Sequence, residues 1–444
     1  MTIVTKRDGS QEPLDLEKLH KVIRWATDGL QDVDSKTILQ QANLSFYEGI
    51  KTSEIQQTVI QAAANLISEE APNYQFAAAR LAVYDLRKRV YGSYKPWPLL
   101  DIIKQNVNKG LYTPELLELY SQKEWEELDL ALDHSRDERL AYAAISQFRE
   151  KYLVKLEGIP HETPQVAYIL CAATLFSKYP KETRLSFVKR YYEQISSHKI
   201  SLPTPINAGV RTREKQFASC VLIDCDDSRQ SIARTIEAIL KYVSAKAGIG
   251  LNGGRIRAEG SSIKGGTAFT TGILPFWRLM ESAVNSCSQG AIRPGAATLY
   301  YPIWHLQAEE ALVLKNNKGN PEKRIRKLDY GVQLNGLFYR RLLNNGVITL
   351  FSPHDVPEMY RAFFVSLEEF TRLYEEAEAN PKLRKKSVQA LDLFSLLIKE
   401  RKNEGRIYIM NVDNVNSHGA FIPELAPIVM SNLCTEITLH TKPL

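Results

Sequence analysis

A change of pattern near Ser201 constrains the fold of this chain more than any other feature of its sequence. Beyond that point short apolar runs, such as Cys220-Val-Leu-Ile and Arg406-Ile-Tyr-Ile-Met, alternate with helical stretches and glycine-rich turns. That is the pattern of an α/β domain. Before it the apolar spacing is helical, with Leu140, Ala143, Ala144 and Phe148 on one helix and Val166, Ile169, Leu170, Ala173 and Phe176 on another, as in a bundle. A proline-bearing link, Tyr94-Lys95-Pro96-Trp97-Pro98, precedes the bundle and closes a small helical module. The module opens with a hairpin whose Asp8-Gly9 is a tight-turn signal. Its helices carry the stripes Leu16, Leu19, Val22, Ile23, Ala26 and Ile55, Val59, Ala62, Leu66, with Phe76, Leu81, Tyr84 and Leu86 on a third. Ser53 and Gln56 read as a capping box, and Gly92 as a helix stop. The expected domains are therefore 1–92, 93–200 and 201–444.

With 444 residues and 44% hydrophobic content, the chain can fill two or three packed domains and is too apolar for disorder. It shows no basic-then-apolar leader and no apolar run near the roughly 20 residues of a membrane span. A cytoplasmic protein with no direct nucleic-acid role is expected. The net charge of +6 is spread out, except for a denser stretch of Lys315, Lys323, Arg324, Arg326 and Lys327. That stretch is either a solvated loop or a nucleotide or partner contact. Cysteines stand at 171, 220, 225, 287 and 434 without a C-x-x-C pair, which argues against a disulfide framework or a zinc site, and no metal is expected in this chain. Cys171, in an apolar helix, reads as packing.

Two segments carry chemistry-bearing side chains. In Ser431-Asn432-Leu433-Cys434-Thr435-Glu436 an amide, a thiol and a carboxylate alternate; if the run is extended, they converge on one side. A surface loop with chance alternation is the other reading. Lys246-Ala-Gly-Ile-Gly-Leu-Asn-Gly-Gly-Arg-Ile-Arg offers backbone N–H groups for a phosphate, or serves turns and packing.

Asn432-Leu433-Cys434-Thr435-Glu436 followed by Thr441-Lys442-Pro443-Leu444 resembles the finger-loop motif of class I, aerobic ribonucleoside-diphosphate reductase large subunits. Ser201-Leu-Pro-Thr-Pro-Ile and Gln216-Phe-Ala-Ser-Cys-Val-Leu-Ile resemble the same family's substrate stretch and first redox cysteine. The resemblance implies Cys434 as the thiyl-radical residue, Glu436 as the base for the ribose 3′-hydroxyl, Asn432 as the orienting amide and Cys220 as one redox thiol. It places Thr204, Ser219, Ala247 and Gly248 against substrate, and Asp227, Ser228, Arg229, Arg257 and Lys264 at a specificity-effector site. Gln289 and Arg293 become readers on a mobile loop; Cys225, five residues past Cys220, reads as core. Residues 1–92 resemble the ATP cone, with Val4, Lys6, Arg7, Lys18, Thr52 and Lys88 as nucleotide contacts. Gln56 and Asp85 depart from that pattern, where well-known members carry histidines, so nucleotide binding is expected to weaken or dATP to lose its inhibitory effect.

The fold so implied is an ATP cone, a helical domain and the first half of a ten-stranded α/β barrel. A second chain is expected to complete the barrel, as in the split large subunits of tailed bacteriophages, which would place the protein in the host cytoplasm. Further implied partners are a small subunit carrying a di-iron centre and tyrosyl radical, a second copy of the completed large subunit, ATP and deoxynucleotide effectors, and thioredoxin or glutaredoxin as reductant. The competing readings are a regulatory nucleotide-binding protein without catalysis, and a glycyl-radical or cobalamin-dependent reductase.

Overall fold

The N-terminal hairpin forms, with Ile3–Thr5 antiparallel to Gln11–Pro13 and Val4 opposite Glu12. The computed structural model describes residues 2–6, 9–43, 45–287 and 294–444. It resolves into two compact units, Met1–Phe217 and Ala218–Leu444.

The first unit is helical. Asp15 caps the helix Leu16–Thr27 by accepting from the Glu17 and Lys18 N–H groups. Gly92, at φ 72°, ends the helix Tyr74–Tyr91 as expected. The helix Thr52–Asn65 starts before Ser53, so the expected Ser53–Gln56 box is not formed. Glu54 takes that role instead, its carboxylate accepting from the Lys51 N–H at 3.3 Å. Further along, a buried pair ties several elements together. Arg211 donates through Nε to Glu162 at 2.7 Å and to the carbonyls of Asn207 and Tyr152. Glu162 also accepts from the Tyr112 hydroxyl (2.6 Å) and the Val154 N–H (2.7 Å). Every oxygen of that buried carboxylate is therefore occupied, which is what makes an ion pair at zero exposure tolerable.

The second unit is built on five parallel strands: β1 (Cys220–Asp224), β2 (Gly248–Asn252), β3 (Ala297–Pro302), β4 (Asp329–Leu334) and β5 (Ile407–Asn411). They lie side by side in chain order. The register sets Cys220 beside Gly248, Gly250 beside Thr298, Tyr300 beside Gly331 and Gly331 beside Tyr408. Because side chains alternate along a strand, one face carries Ile223, Ile249, Leu251, Leu299, Tyr301, Tyr330, Val332 and Ile407. It packs under the helices Arg229–Ser244, Ile273–Ser286, Gly336–Leu343 and Ala390–Glu404. The opposite face carries Cys220, Gly248, Gly250, Thr298, Tyr300, Gly331, Gln333 and Tyr408. β1 and β5 are the edges, so the sheet supplies five of the ten strands that the sequence resemblance implies.

The basic stretch after Lys315 is only partly a solvated loop. Lys323 and Lys327 are exposed. Lys315 instead donates to the Arg326 and Leu328 carbonyls and to Asp329 (3.2, 2.9 and 2.7 Å), and the Arg324 and Arg326 Nε atoms donate to Asn316. Three of the five cations are thus a structural knot, their donors engaged by backbone, amide and carboxylate oxygens.

His305 is fully buried beyond β3. One ring nitrogen faces the Ile256 carbonyl at 3.0 Å, while Nδ1 accepts from the Gln307 N–H. That arrangement requires the neutral ring, since a proton on Nδ1 would oppose the Gln307 N–H, and burial pushes the pKa down to about 4. A folded-state pKa below the unfolded value means that the unfolded chain binds the extra proton first. The stability present above pH 6.5 should therefore be lost as pH falls toward about 4, by on the order of 3 kcal/mol. Urea unfolding between pH 7 and 4.5 should show this slope, and His305→Gln should flatten it.

Candidate active site

Backbone glycine at two positions of β2 decides what can lie on the inner face of the sheet. A Cβ at Gly250 would stand 2.0 Å from the Ser431 carbonyl oxygen and 2.8 Å from Asn432 Cα. At Gly248 it would meet Leu433 at 2.7 Å and the Cys220 sulfur at 3.3 Å. The segment 431–433 therefore lies directly on bare strand backbone. The polar groups of 428–433 are met from the neighbouring elements. Asn416 holds Ile428 through both N–H (2.8 Å) and carbonyl (3.1 Å), and Gln333 of β4 donates to the Val429 carbonyl (2.7 Å). Tyr300 and Thr298 of β3 donate to the Asn432 and Leu433 carbonyls, each at 2.6 Å. Buried backbone must be paired somewhere, and here one inward side chain per contact does it.

Asn432, Cys434 and Glu436 do meet in one place, but not along an extended run. Residues 432–435 form a turn, with the Thr435 N–H reaching the Asn432 carbonyl at 3.4 Å and Thr435 at φ 66°. Asn432 is wholly buried; its Nδ2 donates to the Glu436 carboxylate (2.6 Å), and its Oδ1 accepts from the Glu436 and Ile437 N–H groups (both 3.0 Å). This clasp is an i to i+4 contact across a turn, so the i, i+2 expectation had the right residues for the wrong reason. Cys434, inside the clasp, is exposed, as is Glu436. Burial, and next the nearby Cys434 thiol, raise the pKa of the Tyr408 hydroxyl, which places β5 beside the same turn.

Cys220 opens β1, half-buried, beside Gly248 and Leu433, the residue that precedes Cys434. Cys225 lies fully buried in the core on the outer face, as expected, where burial pushes its thiol up to about 11. Cys171 is also fully buried, on the helix Pro164–Phe176. The N–H groups of Ala247 and Gly248 are engaged by the Tyr242 (3.0 Å) and Ser219 (2.8 Å) carbonyls. Those of Ile249, Gly253 and Gly254 are likewise taken, by Ala296 and Tyr300 carbonyls and by Asn252 Oδ1. The glycine-rich stretch is thus a strand built for close approach, not an open cradle of donors for phosphate. Thr204 begins the helix Thr204–Gly209 in the first unit.

Residues 218–444 match the family described as ribonucleotide reductase, barrel domain. The chain belongs to the ribonucleotide reductase barrel-domain family. Residues 2–89 match the ATP cone domain and residues 138–215 the ribonucleotide reductase all-alpha domain. All 444 residues align with the ribonucleoside-diphosphate reductase subunit alpha of Haemophilus influenzae at 54% identity, and with the ribonucleoside-diphosphate reductase 1 subunit alpha of Escherichia coli K12 at 54%. The subunit alpha of Enterobacteria phage T4 is 48% identical over 99% of the chain. The chain spans 59%, 58% and 58% of the length of these three relatives.

Within this ribonucleotide reductase framework the remaining candidates fall into two places. Asp227 accepts from the Arg257 backbone N–H (3.1 Å) and Nε (2.7 Å) and lies 3.3 Å from His354. Ser228 caps the helix Arg229–Ser244 through the Ser231 N–H. Arg257 also donates to the Ser262 carbonyl, linking this helix start to the loop that carries exposed Lys264. Gln289 and Arg293 lie outside the described residues, as does Arg7. No helix among the described residues is long and apolar enough to cross a membrane.

In the cone, Val4, Lys18, Thr52 and Lys88 line one cavity of about 590 Å³, with Gln56 on its wall. Lys6 is not among its lining residues and pairs with Glu12 at 2.8 Å. Sequence reasoning missed the aromatic wall: Trp25, Tyr84 and Tyr94 stand 5.4–6.0 Å apart, and the Lys88 ammonium lies 4.9 Å from the Tyr84 ring centre. Spacing could have signalled part of it, since Tyr84 and Lys88 are four apart on one helix. Asp85, expected to threaten a phosphate, points elsewhere. It is buried and held by Gln57 (2.8 Å), Arg89 (2.7 Å) and Arg149 (3.3 Å), so its charge is neutralised away from the cavity.

Two outcomes follow from this geometry. Gly250→Ala forces overpacking that costs about 1–3 kcal/mol, so amide exchange across 428–437 should rise about tenfold while the helix Arg229–Ser244 stays protected. Asp85→Asn should lower the melting temperature yet leave ATP affinity, read by titration calorimetry, within about twofold, because the side chain does not line the cavity.

Proposed function

We propose that this chain is the catalytic part of a ribonucleoside-diphosphate reductase large subunit, exchanging the ribose 2′-hydroxyl of a ribonucleoside diphosphate for hydrogen by a thiyl-radical route. The observation that carries the reading is the Asn432–Glu436 clasp around Cys434, set against Cys220 on the inner face of a parallel sheet. An S–H bond is close in strength to a ribose C–H bond, so the Cys434 sulfur, once a thiyl radical, can take the 3′-hydrogen and later return it. Glu436, exposed at the turn and oriented by Asn432, serves as base for the 3′-hydroxyl proton. Cys220 and a second cysteine each give one electron and one proton as the 2′-hydroxyl leaves as water, and end as a disulfide.

In this reading residues 1–92 form the nucleotide switch, 93–200 the helical domain and 201–444 the first half of the barrel. Thr204, Ser219, Ala247 and Gly248 face substrate; Asp227, Ser228, Arg229, Arg257, Lys264, Gln289 and Arg293 serve the specificity effector. Val4, Lys6, Arg7, Lys18, Thr52 and Lys88 serve the cone's ATP. With Asp85 turned away, Gln56 alone remains as the departure that would blunt inhibition by dATP. The second half-barrel, a small subunit with a di-iron tyrosyl radical, a second large subunit and thioredoxin or glutaredoxin complete the cytoplasmic machine. The open edges of β1 and β5 fit a sheet that further strands extend.

The test is CDP reduction by this chain combined with the C-terminal half of a large subunit, a radical-bearing small subunit, dithiol reductant and effector. Turnover should vanish in Cys434→Ser and in Cys220→Ser, and fall by about 10²–10⁴ in Glu436→Gln. Undiminished turnover in Cys434→Ser would overturn the mechanism, and an inactive complete mixture that still binds ATP would favour a regulatory protein.

A further inference from the structure

Thr435 is a β-branched residue at φ 66°, a left-handed conformation that L side chains with a branched Cβ rarely adopt. Such an outlier persists only where its surroundings hold it. Tyr300 contacts both parts of the turn. Its hydroxyl donates to the Asn432 carbonyl at 2.6 Å, the same oxygen that the Thr435 N–H approaches at 3.4 Å. Having given its one hydrogen there, it must act as acceptor toward the Thr435 hydroxyl, 2.8 Å away. Thr298 pins the next carbonyl, that of Leu433. The Tyr300 ring reaches this position because Gly331, on the neighbouring strand, carries no side chain: a Cβ there would stand 2.3 Å from the ring.

We propose that Tyr300 is a positioning residue for Cys434, its hydroxyl holding Thr435 in the left-handed turn on which the Asn432–Glu436 clasp depends. If Thr435 relaxes to an ordinary conformation, the peptide between it and Glu436 rotates. The Glu436 and Ile437 N–H groups then leave Asn432 Oδ1, and the base loses its fixed relation to the thiol. The inference rests on the catalytic reading above for its effect on turnover, but not for its effect on the backbone.

Tyr300→Phe removes the hydroxyl and keeps the ring. In the reconstituted enzyme, kcat for CDP should fall about tenfold with KM within about twofold, and amide exchange across 432–437 should rise by a similar factor. Thr435→Val, which keeps the branch but removes the Oγ1 partner, should shift both readouts the same way. In Tyr300→Phe/Thr435→Gly the turn no longer opposes its residue's preference, so most of the turnover and the protection should return. A general packing defect would not be rescued at residue 435. Unchanged exchange in Tyr300→Phe, or a double variant as impaired as the single one, would overturn the proposal. If exchange follows this pattern while the unmutated mixture turns nothing over, the clamp stands and the catalytic reading fails.

Discussion

The inner face of this sheet depends on a contact with no side chain in it: strand β2 and the segment around Ser431 approach until only hydrogen fits at Gly250. Glycine in a strand sacrifices packing area and adds conformational entropy to the unfolded chain. It is tolerated here because the incoming backbone supplies the buried surface that a side chain would have. The carbonyls of Val429, Asn432 and Leu433 are bonded by groups already on the sheet, and the uncommon inward polar residues Gln333, Tyr300 and Thr298 meet the need of buried backbone for a partner.

The same constraint divides the sheet's two faces. The outer face is an ordinary aliphatic and aromatic interior, closed by four helices and tolerant of volume-conserving changes. The inner face joins a second cluster around Tyr300, Met410, Val429 and Met430, in which hydroxyls and amides are buried among apolar groups. A buried polar group is costly unless paired. The inner face therefore specifies one register of the 428–433 segment much more narrowly than hydrophobic burial would, and that narrowness lets a single exposed thiol stand at a defined place.

Much of this was legible beforehand, and the failures are instructive. Alternating apolar runs after Ser201 announced an α/β domain, and the motif residues Asn432, Cys434 and Glu436 share one turn, with Cys220 beside Leu433. What failed was inference from local spacing alone. The extended reading of 432–436 missed the turn because nothing in the sequence marks Thr435 as left-handed; a glycine or asparagine there would have. The glycine-rich stretch looked like a phosphate cradle because its N–H groups are unencumbered in sequence, whereas in the fold carbonyls from Ser219, Tyr242 and Ala296 occupy them. Ser53 looked like a cap, but Lys51 and Glu54 set the helix start two residues earlier.

Asp85 shows why charge at a nucleotide site cannot be read from position within a motif. It lies on the same helix as Tyr84 and Lys88, both of which line the cone's cavity, and the resemblance, which sets it where well-known members carry a histidine, suggested that its carboxylate faced the nucleotide too. Neighbouring residues on a helix diverge by about 100°, however, so a residue beside a lining residue points away from the cavity by default. Arg89, four positions on, and Arg149, from a different helix, complete its neutralisation in the core. Gln56, by contrast, does line the cavity, its amide donating to the Leu81 carbonyl, beside the aromatic wall where Lys88 sits over a ring.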